Sequence, residues 1–386
     1  MGRFVTAPIP KGARPALMTG MGTIYPYGEW PNSYYAQVRE AYLHNAVAQR
    51  AVRLVAEGVA ALKIETCADN ADALALVKAT TAGQHLLENA AMYLLLHGNA
   101  FIQVLTDAAG DPVELFALRP ERMGVELDAR GWIRNYKYTL NGQTAPLRRH
   151  DAQGRTLLIH IKTAHPVDDH FGLGALGAAM GAIASHNAAA KWNKHLLDNM
   201  ARPSGALVYE PGEAGATLSE EQFNRLRTEI DSHFSGPSNA ARPLLLEGGL
   251  KWQALSLSPA DMDFNNLKAA AAREIALAFG VPPVLLGLPG DATYSNYREA
   301  SRALYRSTIL PMANKLLHAI AEGLEGWWPE VKFRVDVDDL SALADDREKL
   351  WASVSAATFL TPDEKRAMLG LGPGSDELTE NLEEQN

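Results

Sequence analysis

Residues 171–200, FGLGALGAAMGAIASHNAAAKWNKHLLDNM, constrain this chain more than any other stretch. Beyond four early glycines they carry Ala, Met, Leu and Lys and no proline, which predicts one long helix ending near Met200. Ala178, Ala182, Ala189 and Ala190 keep one side of it thin. A thin helix packs very close to its neighbour, within a chain or between copies. A membrane span needs about 20 strongly apolar residues. Here Gly and Ala replace Leu, and Ser185, His186 and Asn187 interrupt the run, so no membrane contact is expected.

The same stretch opens with Gly172-Leu173-Gly174-Ala175-Leu176-Gly177, which spells G-x-G-x-x-G. A dinucleotide turn needs a strand directly before it, a helix after it and an acid about 20 residues on. AHPVDDHF separates the glycines from the strand ending near Thr163, and Asp198 sits at the far end of the helix. A helix start rich in small residues fits better. The neighbouring HIKTAHPVDDH places His160, His165, Asp168, Asp169 and His170 together, but at no standard zinc spacing. An enzyme using nucleotide or metal at Gly172–Gly177 or His160–His170 is the alternative reading. The sequence shows no G-x-S-x-G, Walker A or H-E-x-x-H pattern. No catalytic residue, metal site or cofactor is expected.

The rest of the chain divides around this helix. Residues 1–35 read as an extended arm. In residues 36–170, helices come first and a meander-like sheet follows, an α+β order. Leu43, Val47, Ala51, Leu54 and Val55 predict an amphipathic first helix, and ALALVKATTAGQHLLENAAMYLLLHG a second helical region. Turns are expected at Ala109–Pro112, Ala129–Gly131 and Asn141-Gly142. Residues 201–258 follow the long helix (171–200) and read as a β-α-β-β insertion, with Ser219 and Gln222 capping its helix. A second long helix (259–281) returns with Phe264, Leu267, Ala271, Ile275 and Ala278 as its apolar stripe. A loop (282–295) leads to a long helix and strand (296–340), the helix kinked at Pro311. VKFRVDV alternates as a half-buried strand. Residues 341–386 give two helices, the last begun by Thr361-Pro362-Asp363-Glu364, and an acidic tail.

The net charge is −9, which argues against a broad basic face gripping nucleic acid. Cys67 is the one cysteine, so no disulfide forms within the chain. Lys191, Lys194 and Arg202 lie near a helix C-terminus, where the dipole favours cations and where DNA backbone contact is the functional reading.

Five segments in order resemble the portal (head-to-tail connector) proteins of tailed double-stranded DNA phages and the equivalent portals of gene transfer agents. They are AVAQRAVRLVAEGVAALKIE; HGNAFIQVLTDAAGDPVELFALRPERMGVELDARGWIRNYKY; LLIHIKTAHPVDDHFGLGALGAA; AAREIALAFGVPPVLLGLPGDATYSNYREASRALYRSTILPMANKL; and FLTPDEKRAMLGLGPGSDEL. Gly174-Ala175-Leu176 stands where the family usually has Ser-Pro, a mild departure. The resemblance implies a wing (36–170), a two-helix stem, a small α/β clip (201–258), a kinked wing helix and a helical crown. It implies a ring of about twelve copies at one capsid vertex, assembled in a bacterial cytoplasm and carried in the virion or particle. Double-stranded DNA would pass through the channel during packaging and ejection, with Lys191, Lys194 and Arg202 as stem candidates facing it. Gly287, Leu288, Pro289, Gly290, Asp291, Ala292, Thr293 and Tyr294 would form a tunnel loop. Large terminase, a head-tail adaptor and the major capsid protein would be partners. A separate motor would do the ATP-driven work, so the chain itself would be no enzyme.

Overall fold

The computed structural model describes residues 33–198, 205–209, 219–225, 228, 250–254, 264–288 and 294–370. The arm, most of the insertion, the first turn expected for the second long helix, Pro289–Thr293 and the acidic tail lie outside the described residues.

Ser33 caps α1 (Tyr34–Val38), which continues into a π-helical turn (Arg39–Leu43). Asn45 then accepts from the Ala48 N–H and opens α2 (Ala46–Ala60). Leu43 therefore does not belong to the apolar stripe of α2 and is 62% exposed. Ala48, Ala51, Val52, Val55, Ala56 and Val59 fill that role, with Val47 and Leu54 packed at its margin. The second helical region is two helices, α3 (Ala71–Lys78) and α4 (Leu86–His97). Between them β2 (Thr80–Thr81) and β3 (Gln84–His85) form a small hairpin after β1 (Ile64–Glu65). Ala82 and Gly83 both take positive φ at its turn, as a two-residue hairpin requires. Thr80-Thr81-Ala82-Gly83 thus breaks the helix that apolar periodicity alone would carry through it.

The expected meander is two three-stranded antiparallel sheets. β4 (Asn99–Thr106) lies between β5 (Pro112–Leu118) and β9 (Leu158–Lys162). β7 (Ile133–Leu140) lies between β6 (Met123–Leu127) and β8 (Gln143–Leu147). The first sheet packs on α4 and the main core, and Phe101, Leu118 and Leu158 meet Met123 and Tyr136 in a smaller core between the sheets.

The predicted long helix is α5 (Ala175–Asp198). The insertion keeps β10 (Gly205–Tyr209) paired with β11 (Leu250–Ala254), and Ser219 and Gln222 bond reciprocally ahead of helical residues 220–225. The returning helix is α6 (Phe264–Ala278), followed by a 3₁₀ turn (Pro283–Leu286). Leu267 is 46% exposed, so it is not in the buried stripe; Ala271, Ala272, Ile275, Ala276 and Phe279 are.

The kink also takes a different form. α7 (Tyr294–Leu304) widens into a π turn (Tyr305–Ile309), and Pro311 stands in the first turn of α8 (Leu310–Leu324). Proline has no N–H for the residue four back, and its ring crowds that carbonyl. A π turn ahead of it relieves both. VKFRVDV alternates in burial from Val331 to Val335 but not to its end, where Val337 is 47% exposed, and only β12 (Arg334–Val335) pairs, with β1. α9 (Ala344–Ala356) and α10 (Pro362–Met368) close the described chain, the latter with the full Thr361/Glu364 capping box.

Candidate functional site

The long-helix pair and its seat on the body form the candidate site. α5 begins and α6 ends in the same core: Leu176 and Ile183 on α5, Ile275 on α6 and Phe279 just past its end are each at most 2% exposed. The pair is thus antiparallel, with His186 on α5 close enough to Lys268 on α6 for the cation to help depress its pKa after burial. From the body the pair leads towards the insertion that holds β10 and β11.

Three polar seats fix α5 to the body. In the first, Asn45 Nδ2 donates to Asn187 Oδ1 (2.8 Å) and His186 Nδ1 (3.2 Å). Asn187 Nδ2 donates to the Glu40 carbonyl at 2.9 Å. Asn45 and Asn187 are buried, and the network satisfies them across α2, α5 and the π turn. One residue therefore caps α2 and ties it to α5.

The second seat explains the glycines. Gly98 ends α4 with φ +78, and the chain entering α5 lies directly on it. A Cβ on Gly172 would overlap the Gly98 carbonyl oxygen and stand 2.7 Å from the Thr163 nitrogen. A Cβ on Gly174 would stand 2.8 Å from the Leu96 carbonyl carbon. The glycines permit backbone to lie on backbone, which is the small-residue helix start expected from the sequence.

The third seat is Asn99. Its Oδ1 accepts from Gly172 N–H (2.7 Å) and from His160 Nε2 (3.0 Å), while its Nδ2 donates to the Gly172 carbonyl (3.1 Å). An acceptor on Nε2 places the His160 proton there, leaving Nδ1 to accept from the Tyr136 hydroxyl at 3.2 Å. His160 also stacks on Phe101, with ring centroids 4.2 Å apart. Burial, helped by Lys162 and Arg149, pushes the His160 pKa down to about 3, and burial pushes His97 down to about 4.

The histidine cluster is distributed among other duties. His165 Nδ1 accepts from the Val167 and Asp168 N–H groups. Asp168 accepts from the His170 and Phe171 N–H groups, and buried His170 Nε2 donates to the Gly131 carbonyl at 2.6 Å. Among the described residues no His, Cys, Asp and Glu side chains gather in a group that could hold a metal ion.

A prediction follows for pH. A histidine held neutral in the fold takes up a proton only on unfolding, so stability is full above the ordinary value near 6.5 and falls below it. For His97 and His160 the window runs from about 6.5 down to about 4 and 3. Each contributes a slope of about 1.4 kcal/mol per pH unit inside it. Denaturant titrations from pH 7 to 4.5 should show stability falling, and His160→Gln should flatten the fall while lowering stability at pH 7. An unchanged slope in the variant refutes the assignment.

Of the sequence-predicted stem cations, Lys191 and Lys194 stand exposed on α5, and Arg202 lies outside the described residues. Gly287 takes φ +71 after the 3₁₀ turn, Leu288 is half-buried, and α7 begins at Tyr294. Pro289, Gly290, Asp291, Ala292 and Thr293 lie outside the described residues. Gly280 ends α6 against Thr308, whose hydroxyl donates to the Gly280 carbonyl at 2.7 Å. The loop is therefore rooted on the π turn of the kinked helix, a link that no local pattern announces.

The outward faces of the pair differ. Ala182 and Ala189, expected on the thin face, are buried within the chain, whereas Ala178, Ser185 and Ala188 are exposed. α6 presents Leu267 (46% exposed) and Leu277 (78% exposed). No described helix is long and apolar enough to cross a membrane.

The phage portal protein family model matches residues 46–370. A protein of Rickettsia bellii is 38% identical over 347 residues, covering 86% of this chain and 88% of the relative. The probable portal protein of Streptomyces phage phiC31 is 28% identical, over 76% of this chain and 65% of its own. Among solved structures, a chain from the neck of a native gene transfer agent particle, computed with C12 symmetry, is 43% identical with a TM-score of 0.69. The likeness covers 89% of this chain and 95% of that one.

Proposed function

The chain belongs to the phage portal protein family, and we propose that it forms the portal ring of a phage or gene-transfer-agent particle, the channel through which double-stranded DNA enters and leaves. The observation that carries this is the 43% identity, over nearly the whole length, to a chain of a C12-symmetric particle neck. A cyclic assembly repeats one head-to-tail contact until it closes, so each copy needs two different faces. The small-residue face of α5 and the leucine face of α6 supply such a pair.

In this reading α5 and α6 are the stem, and the insertion that includes β10 and β11 is the clip that meets large terminase during packaging and the head-tail adaptor afterwards. The loop of residues 282–295, with Gly287 to Tyr294 facing the channel, is the tunnel loop, and Gly280 ahead of it is held by Thr308. The rim of the ring meets the major capsid protein. Lys191, Lys194 and Arg202 face the duplex, and the net charge of −9 on each copy keeps the hold loose, which suits a conduit along which DNA must slide. The work of translocation belongs to a separate ATPase.

Native mass spectrometry of the purified chain is the test. A closed species of about twelve copies is expected. A chain that stays monomeric at high concentration, alone and in particles, refutes the proposal.

A further inference from the structure

Arg298, Arg302 and Arg306 follow one another at four-residue spacing along α7 and its π turn, so their guanidinium groups line one side of the helix. Asp345 and Asp346, in the first turn of α9, lie across them. Arg302 Nη2 donates to Asp345 at 2.9 Å, and its Nε is 3.6 Å from Asp346. Arg306 stands 3.7 Å from Asp346, and Arg298 pairs with Asp345.

The cover is charged rather than packed. Within α9 the buried residue is Val354, while Leu350 and Trp351 are 46% and 41% exposed. Exposed ion pairs are individually weak and are screened by salt. The central arginine is also incompletely served: its side chain is 13% exposed, yet its buried Nε has no hydrogen-bond acceptor. Glu299, on the same helix, accepts from Arg302 Nη1 at 3.0 Å, but the three forked donors share only two carboxylates of the cover and Nε stays unserved, so an anion with more oxygens could satisfy them better.

We propose that this arginine row is a phosphate-binding site for double-stranded DNA, masked by the first turn of α9 and opened when α9 lifts. The proposal rests on the portal reading, which places a duplex near the chain. Guanidinium groups suit phosphate because their planar forks match its oxygens. About 6 Å of helix rise separates successive members, so they can grip neighbouring phosphates along one backbone. Asp345 and Asp346 act as the competing anions, and displacing them exchanges one set of charge-assisted bonds for another.

The test uses the assembled ring and a fluorescent short DNA duplex. Asp345→Asn with Asp346→Asn should tighten binding about tenfold at low salt and steepen its salt dependence. Adding Arg298→Gln, Arg302→Gln and Arg306→Gln should erase the gain. Hydrogen exchange on the unmodified ring gives an independent reading: DNA should raise exchange in residues 344–356 and leave α2 and α4 unchanged. No gain in the double variant, a gain that survives loss of the arginines, or unaltered exchange in α9 overturns the masked site. Native mass spectrometry of the same samples separates the outcomes, since missing rings count against the portal reading and intact rings without these effects count against this inference.

Discussion

Leu277→Asp should leave the subunit folded and abolish the ring. Leu277 is 78% exposed on α6, so within one copy the change costs no more than about 0.5 kcal/mol. Between copies the proposed contact makes it severe. The antiparallel pair sets the levels: with His186 opposite Lys268, Leu277 stands level with Gly177, one residue before Ala178, and Leu267 level with Asn187, one residue before Ala188. In the proposed ring, rotation about an axis along the stem preserves level, so the leucines of one copy would meet the small residues Ala178, Ser185 and Ala188 of the next. A carboxylate buried there without a partner costs several kcal/mol, roughly 3 or more, at every contact around the ring. Closure repeats that cost about twelve times. Native mass spectrometry should show monomers or short arcs, with a thermal melt of the subunit unchanged. Normal rings from Leu277→Asp would place the contact elsewhere.

Gly172→Ala should destabilise the fold by about 3–5 kcal/mol. The new methyl group would overlap the Gly98 carbonyl and crowd the Thr163 nitrogen, and both are backbone atoms held by other bonds. Thr163 N–H donates to Gly98 at 2.9 Å, and Gly172 itself is bonded at both its N–H and its carbonyl to Asn99. Relief would need the α5 entry to lift off α4, breaking the Asn99 seat. Denaturant unfolding measures the loss. A nucleotide turn predicts instead a stable variant with impaired binding of a dinucleotide. Wild-type stability in Gly172→Ala would mean that the close approach is wrong.

Features closed within a few residues were determined by sequence alone. The Thr361/Glu364 box, the reciprocal Ser219–Gln222 bonds and the Asn141-Gly142 turn each join groups at most four residues apart. The long run of α5 likewise follows from its own composition, with no proline to break it. The family resemblance was legible because it rests on ordered local segments. Where an apolar face finds its partner was not. Periodicity marked Leu43 and Leu267 as core, yet both are exposed, because a stripe of the right spacing does not say whether its cover lies in the same chain. Pro311 announced a distortion, but the neighbouring helices determined that it is taken up as a π turn beside Gly280 and Thr308. The glycines of residues 172–177 carried a familiar spelling whose meaning lay in Gly98 and Thr163, remote in sequence and touching in space. Only tertiary structure could supply that, since the constraint is the distance between two backbones and neither segment records it alone.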